Sequence, residues 1–182
     1  LIVKPGQELR IHGDLLDGLQ SGTSITLGDT NYLLVEFPSN HVPRYTERVL
    51  FDLQSEGYHP IIVHPERNSD IMQNPDKLLD LVQNGALTQV TAGSVAGKFG
   101  KKIKQFSMQL IESNLTHFVA SDSHNTTTRG FCMQEAFVEI EKEFGYGVSA
   151  ILKENAENVH RNGNVIGEQP MPVQKKKKFI FF

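Results

Sequence analysis

The chain of 182 residues carries 18 Lys and Arg against 21 Asp and Glu, a formal net charge of −3, so no overall basic character points to nucleic acid. Hydrophobic residues at 38% and charged residues at 21% are the balance of a soluble globular protein with one substantial core. Cys132 is the single cysteine, which excludes an internal disulfide and fits a reducing, cytoplasmic setting. No apolar run approaches the ~20 residues of a membrane span. Leu1-Ile-Val gives way at once to Lys-Pro-Gly, unlike a signal peptide, and the absence of an initial Met fits a chain that begins partway through a longer protein.

Residues 7–12 alternate polar with apolar and predict a strand with Glu8, Arg10 and His12 on one face. The stretch from Gly13 to Asp29 is rich in Gly, Asp, Ser and Thr and predicts a long loop, interrupted by a short strand over 24–27. Tyr32 to Phe37 is a dry strand. Pro43 sits where it can open a helix reaching Glu56, with Gly57 as the stop. From there strands and helices alternate: strand 61–63, a helix capped by Asn74 with Pro75 first and Gly85 just past its end, strand 87–91, a helix over 98–114, strand 117–121, and helices over 129–144 and 148–160. Such alternation predicts parallel strands with helices outside. Residues 1–168 form the expected domain. Residues 169–182 read as a separate tail, in which Lys175 to Phe182 joins four lysines to an aromatic cluster that suits peripheral contact with an anionic membrane surface.

Two strand ends carry chemistry. Phe118-Val-Ala-Ser-Asp-Ser-His-Asn125 runs from apolar residues into Asp122 and His124, with Arg129 close behind. Pro60-Ile-Ile-Val-His-Pro-Glu-Arg67 delivers His64 and then Arg67 in the same way. In parallel α/β folds ligands bind beyond the carboxyl ends of strands. Glu8, His64, Asp122 and His124 are a carboxylate and imidazole set suited to Zn, Mn or Fe, and such ions lower the pKa of water. Arg67 and Arg129 have the planar donors that match phosphate oxygens. The residue types therefore favour phosphate ester hydrolysis.

Each candidate also has a plainer reading. Asp122 can cap a helix, Glu8 can be a surface strand residue, Arg129 can open a helix, and His64 can be a satisfied turn histidine. His12, His41, His59, His117 and His160 read as structural, Glu36 is an extra candidate at a strand end, and Cys132 reads as packing. Met133 follows Cys132 and no arginine stands at the offset of a Cys-x5-Arg loop; Walker and Gly-x-Gly-x-x-Gly patterns are absent as well.

Gly6-Gln-Glu-Leu-Arg10, His64-Pro-Glu-Arg67 and Ser121-Asp-Ser-His-Asn125 together resemble the PHP (polymerase and histidinol phosphatase) metal-dependent phosphatases. Among these, the similarity is to the bacterial protein-tyrosine phosphatases of the YwqE/CpsB type, with which Tyr32 to Pro38, Val42 to Tyr45 and Thr91-Ala-Gly-Ser94 also agree. The resemblance implies a distorted (β/α)7 barrel holding up to three divalent ions. It implies hydrolysis of phosphotyrosine on a bacterial tyrosine kinase, and so control of capsule or exopolysaccharide synthesis. Carried over, Glu8 is similar to a bridging metal ligand, His64, Asp122 and His124 resemble further ligands, and Arg67 and Arg129 match arginines that face the phosphate. Ser123 stands where the family usually has Ala.

The His-x-His strand, the Asp-Asp-Gly segment and the further His-bearing strand that precede the Glu8 motif in the family do not occur here. The chain is therefore expected to lack the N-terminal strands of the barrel and to leave apolar sheet edges exposed. Two alternatives accompany this reading. One is a hydrolase of small phosphate esters such as histidinol phosphate. The other is a non-catalytic fragment that binds a kinase or its own missing portion, or self-associates as a homo-oligomer.

Overall fold

The computed structural model describes residues 2–174, so the expected membrane contact through Lys175 to Phe182 lies outside the described residues. Five parallel strands form one sheet in chain order: β1 (Glu8–Arg10), β2 (Tyr32–Glu36), β3 (His59–Val63), β4 (Leu87–Thr91) and β5 (Phe118–Ala120). Each strand pairs with its neighbour in sequence, so all carboxyl ends lie along one rim. The connections are helical: α1 (Leu15–Gln20), α2 (Thr46–Ser55), a 3₁₀ turn (Pro65–Arg67), α3 (Ser69–Gln73), α4 (Asp76–Gln83), α5 (Ala92–Val95) and α6 (Lys101–Glu112). Helices α7 (Met133–Phe144) and α8 (Tyr146–His160) follow β5. Among the described residues no helix is long and apolar enough to cross a membrane.

The dry strands are dry because both faces of the sheet are covered, as parallel sheets require. Leu33, Val35, Ile62, Val90 and Val119 point into the main core with Leu53 of α2, Leu78 of α4 and Leu110 of α6. Tyr32, Ile61 and Phe118 form a smaller cluster on the opposite face, closed by Leu27, Val159 and Val165. Helix α6 shows why these segments dock: its buried residues Phe106, Ser107, Leu110 and Ile111 recur at the spacing of one helical face. After α8 the chain returns across α6, where the Met171 N–H donates to Ser113 O at 2.9 Å and Val173 joins the core.

Four local expectations are corrected. Helix α1 stands where a loop was predicted: Leu15 is fully buried, with Leu16 and Leu19 packed beside it. No strand forms at 24–27, where Leu27 instead closes a tight turn through its N–H to Tyr32 O at 2.8 Å. Asn74 does not cap α4, because it is used to close α3, its N–H donating to Asp70 O. The capping side chain is Asn68, whose Oδ1 accepts from the N–H groups of Asp70 and Ile71 and opens the unpredicted α3. Helix α7 starts at Met133 rather than Arg129, since the Arg129 carbonyl is taken up by the His124 N–H and the Ser123 hydroxyl.

His117, just ahead of β5, is buried, and burial pushes its imidazole pKa down to about 4. Its Nδ1 accepts the Thr88 N–H at 3.1 Å, a bond only the neutral ring can make. The unfolded chain, with an ordinary histidine pKa near 6.5, takes up this proton first, so stability falls as pH drops from about 6.5 towards about 4. Urea unfolding at pH 7 and pH 4.5 is expected to show an extra loss on the order of 2–3 kcal/mol in the native chain relative to His117→Gln. Equal pH dependence in the two proteins would contradict this assignment.

Candidate metal and phosphate site

The rim at the strands' carboxyl ends opens into a cleft of about 210 Å³. All six residues singled out in the sequence line it: Glu8, His64, Arg67, Asp122, His124 and Arg129. Glu36, the last residue of β2, lines it too. The lining thus holds three carboxylates, two guanidiniums and two imidazoles.

One half of the cleft is a carboxylate and imidazole cluster. Register places Glu8 opposite Leu34 and Arg10 opposite Glu36, so both carboxylates leave the same face of the sheet. His64 Nε2 lies 3.1 Å from Glu8 Oε1 and 3.8 Å from Glu36 Oε1, and Arg10 Nε lies 3.7 Å from Glu36 Oε2. One ligand atom from each of Glu8, Glu36 and His64 falls within 4.8 Å of the others, a span that one cation can bridge. Glu36 has a stronger place here than its sequence position suggested. The signal was a carboxylate ending a dry strand, but only the β1–β2 register brings it to Glu8.

The other half is built around Asp122. Arg67 Nη2 and Arg129 Nη2 both donate to its Oδ2, at 2.5 and 2.6 Å, and His124 Nε2 is 3.1 Å from Oδ1. Burial pushes the Asp122 carboxyl up, but Arg67, the His124 hydrogen bond and Arg129 together outweigh it and hold the carboxyl below its usual range. His64 follows β3 directly and Asp122 is the second residue past β5, and both have left-handed backbone, with φ of 39° and 47°. Such conformations cost about 1–3 kcal/mol each in a non-glycine residue and are held only where the surroundings over-determine them. They turn the chain sharply so that these side chains face the cleft.

Two further residues shape the loops. Glu66 is fully buried beneath Arg67, and its Oε1 accepts from the Thr91 N–H at 3.1 Å and the Ser94 hydroxyl at 2.6 Å. Burial pushes its carboxyl up against those two bonds. Asn125 Oδ1 accepts the N–H groups of Thr127, Thr128 and Arg129 at 3.0, 2.8 and 3.0 Å, folding the loop that presents Arg129. His12 and His41 do not line the cleft; His41 Nδ1 pairs with Asn40 Oδ1.

The family described as capsular polysaccharide synthesis, CpsB/CapC, matches residues 1–161. The chain belongs to the CpsB/CapC family. Tyrosine-protein phosphatase YwqE of Bacillus subtilis is 51% identical over 182 residues, covering 100% of this chain and 72% of YwqE. Tyrosine-protein phosphatase CpsB of Streptococcus pneumoniae is 31% identical over 150 residues, covering 80% of this chain and 62% of that protein. A crystal structure from work on these two proteins, described as unique metal-dependent tyrosine phosphatases, superposes with a TM-score of 0.95 at 51% identity, covering 96% of this chain and 71% of the other.

Asn125→Ala is expected to leave this CpsB/CapC fold intact while freeing Thr127 to Arg129. Their amides should exchange about fivefold to tenfold faster, the equivalent of roughly 1 kcal/mol of lost hydrogen bonding. Hydrogen exchange read residue by residue checks it, and Asn125→Asp, which keeps the acceptor, should restore protection.

Proposed function

We propose that this protein is a metal-dependent phosphatase that hydrolyses phosphotyrosine on protein, with the cleft as its active site. The observation that carries the reading is the convergence of Arg67 and Arg129 on a single oxygen of Asp122, beside the Glu8, Glu36 and His64 cluster. Two guanidiniums aimed at one anionic oxygen have the arrangement that a phosphoryl group needs. The YwqE and CpsB relatives, named as tyrosine phosphatases, supply the substrate class.

The donor set fits divalent cations. Oxygen and imidazole ligands suit Mn, Fe or Zn, and three carboxylates against two guanidiniums leave negative charge for cations to balance. Glu8, Glu36 and His64 would hold one ion, with Asp122 and His124 contributing to further sites. Bound there, divalent ions supply Lewis acidity and an activated water near neutral pH. The chain's own part is charge placement. Arg67 and Arg129 bind the phosphoryl oxygens and stabilise the charge that builds on them as the ester bond breaks. Cys132 has no place in this chemistry, so no cysteinyl-phosphate intermediate forms.

The reading extends to the PHP class. On it, the sequentially ordered parallel sheet is an arc of a (β/α)7 barrel, residues 1–168 are the catalytic domain, and 169–182 are an appended tail. A tyrosine kinase acting in capsule synthesis is the proposed substrate, in keeping with the family's description, and the cytoplasm is the proposed location.

Metal content by elemental analysis and turnover of p-nitrophenyl phosphate and a phosphotyrosine peptide test the proposal together. Chelation should abolish turnover and added Mn should restore it. Arg67→Ala should lower kcat/KM by about 100-fold or more, and Glu36→Gln should lower the bound metal. Cys132→Ser should keep full activity. A large loss in that variant, or turnover indifferent to chelation, would sink the mechanism.

A further inference from the structure

Arg67 is held from below as well as from the front. Its Nη2 reaches Asp122, while its Nε is buried without a hydrogen-bond partner, 4.0 Å from Glu66 Oε1. The guanidinium carbon lies 5.5 Å from the centroid of the Phe99 ring, within cation–π range. Phe99 belongs to the segment after β4, and Glu66 is held by the end of β4 and that same segment. The Thr91 N–H and the Ser94 hydroxyl fix the Glu66 carboxylate, and Gly93 gives Phe99 room, since a Cβ there would stand 3.3 Å from the ring. The Thr91-Ala-Gly-Ser94 stretch stood out in the sequence, yet none of its residues lines the cleft.

We propose that Glu66, Ser94 and Phe99 form a positioning cradle for Arg67, through which the β4–α6 connection fixes the guanidinium that binds the phosphoryl group. The inference rests on the phosphatase reading but concerns residues that do not line the cleft. Glu66 takes the Nε side, and Phe99 lies beside the guanidinium carbon. The tip is left free to exchange Asp122 for a phosphoryl oxygen. An arginine side chain has several rotatable bonds, and a cradle of this kind removes their freedom before the substrate arrives.

The test is a set of double-mutant cycles on the full chain. Its readouts are the Kd of inorganic phosphate by calorimetry and kcat and KM for p-nitrophenyl phosphate. Glu66→Gln, Ser94→Ala and Phe99→Leu should each weaken phosphate binding and kcat/KM by about 10-fold, with metal content unchanged. Phe99→Tyr, which keeps the ring face, should restore both. In an Arg67→Gln background the same substitutions should have no further effect, because their target is gone. Ser94→Ala and Phe99→Leu keep the test open if Glu66→Gln does not fold. Losses that persist without Arg67, or single variants that behave as wild type, would overturn the cradle. A wild-type chain that binds no phosphate would overturn the phosphatase reading instead.

Discussion

One oxygen, Oδ2 of Asp122, accepts hydrogen bonds from both arginines of the cleft, and the arrangement of the site depends on it. Arg67 arrives from the turn after β3 and Arg129 from the loop after β5, so this carboxylate joins segments that the sheet alone keeps apart, with β4 between their strands. Two guanidiniums this close to each other repel, and the shared anion offsets that repulsion. The same pairing holds Asp122 ionised against the burial that would otherwise neutralise it.

The backbone turns that bring these groups together carry local strain. His64, the first residue past β3, and Asp122, the second past β5, enter the left-handed region. Asp and His tolerate that region better than branched residues do. The strain is held in place by neighbours: the His64 N–H donates to Gln89 O on β4, and the loop beyond Asp122 is folded on Asn125. Rigid strands thus fix where the loops begin, and hydrogen bonds within the loops fix where the side chains end.

What could be read in the sequence follows from this division. Strands buried on both faces announce themselves as short apolar runs, so β2 to β5 and the residues just beyond them were legible, and with them His64, Arg67, Asp122, His124 and Arg129. Helix α1 was hidden because its apolar residues Leu15, Leu16 and Leu19 sit among Gly, Asp and Ser, whose turn preference outvotes a helix of only six residues. Asn68 and Asn74 are equivalent by type as capping residues, but they flank the same short helix: Asn68 opens α3, whose Ile71 packs into the core, and Asn74 closes it. Glu36 needed the strand register, which is a tertiary property. Glu66 stands between Pro65 and Arg67 with no pattern in the sequence to mark it as buried. It is fully buried, because β4 and α5 close over the turn and supply its two donors.

The charges of the cleft also constrain one another. Arg10, Glu36, His64 and Glu8 form a second chain of opposed groups across β1, β2 and the end of β3, parallel to the one centred on Asp122. Taking any one member away does not simply remove its pairwise attraction. It leaves a partner facing like charge in a partly dry cleft, a penalty that exceeds what the pair itself contributes. Single substitutions will therefore overstate each residue's contribution, and the error grows with burial. It is smallest for Arg10, whose side chain is 73% exposed, and largest for Asp122, at 9%. Only cycles that remove both members of a pair separate a residue's direct contact with substrate from its part in keeping the neighbouring charges in place.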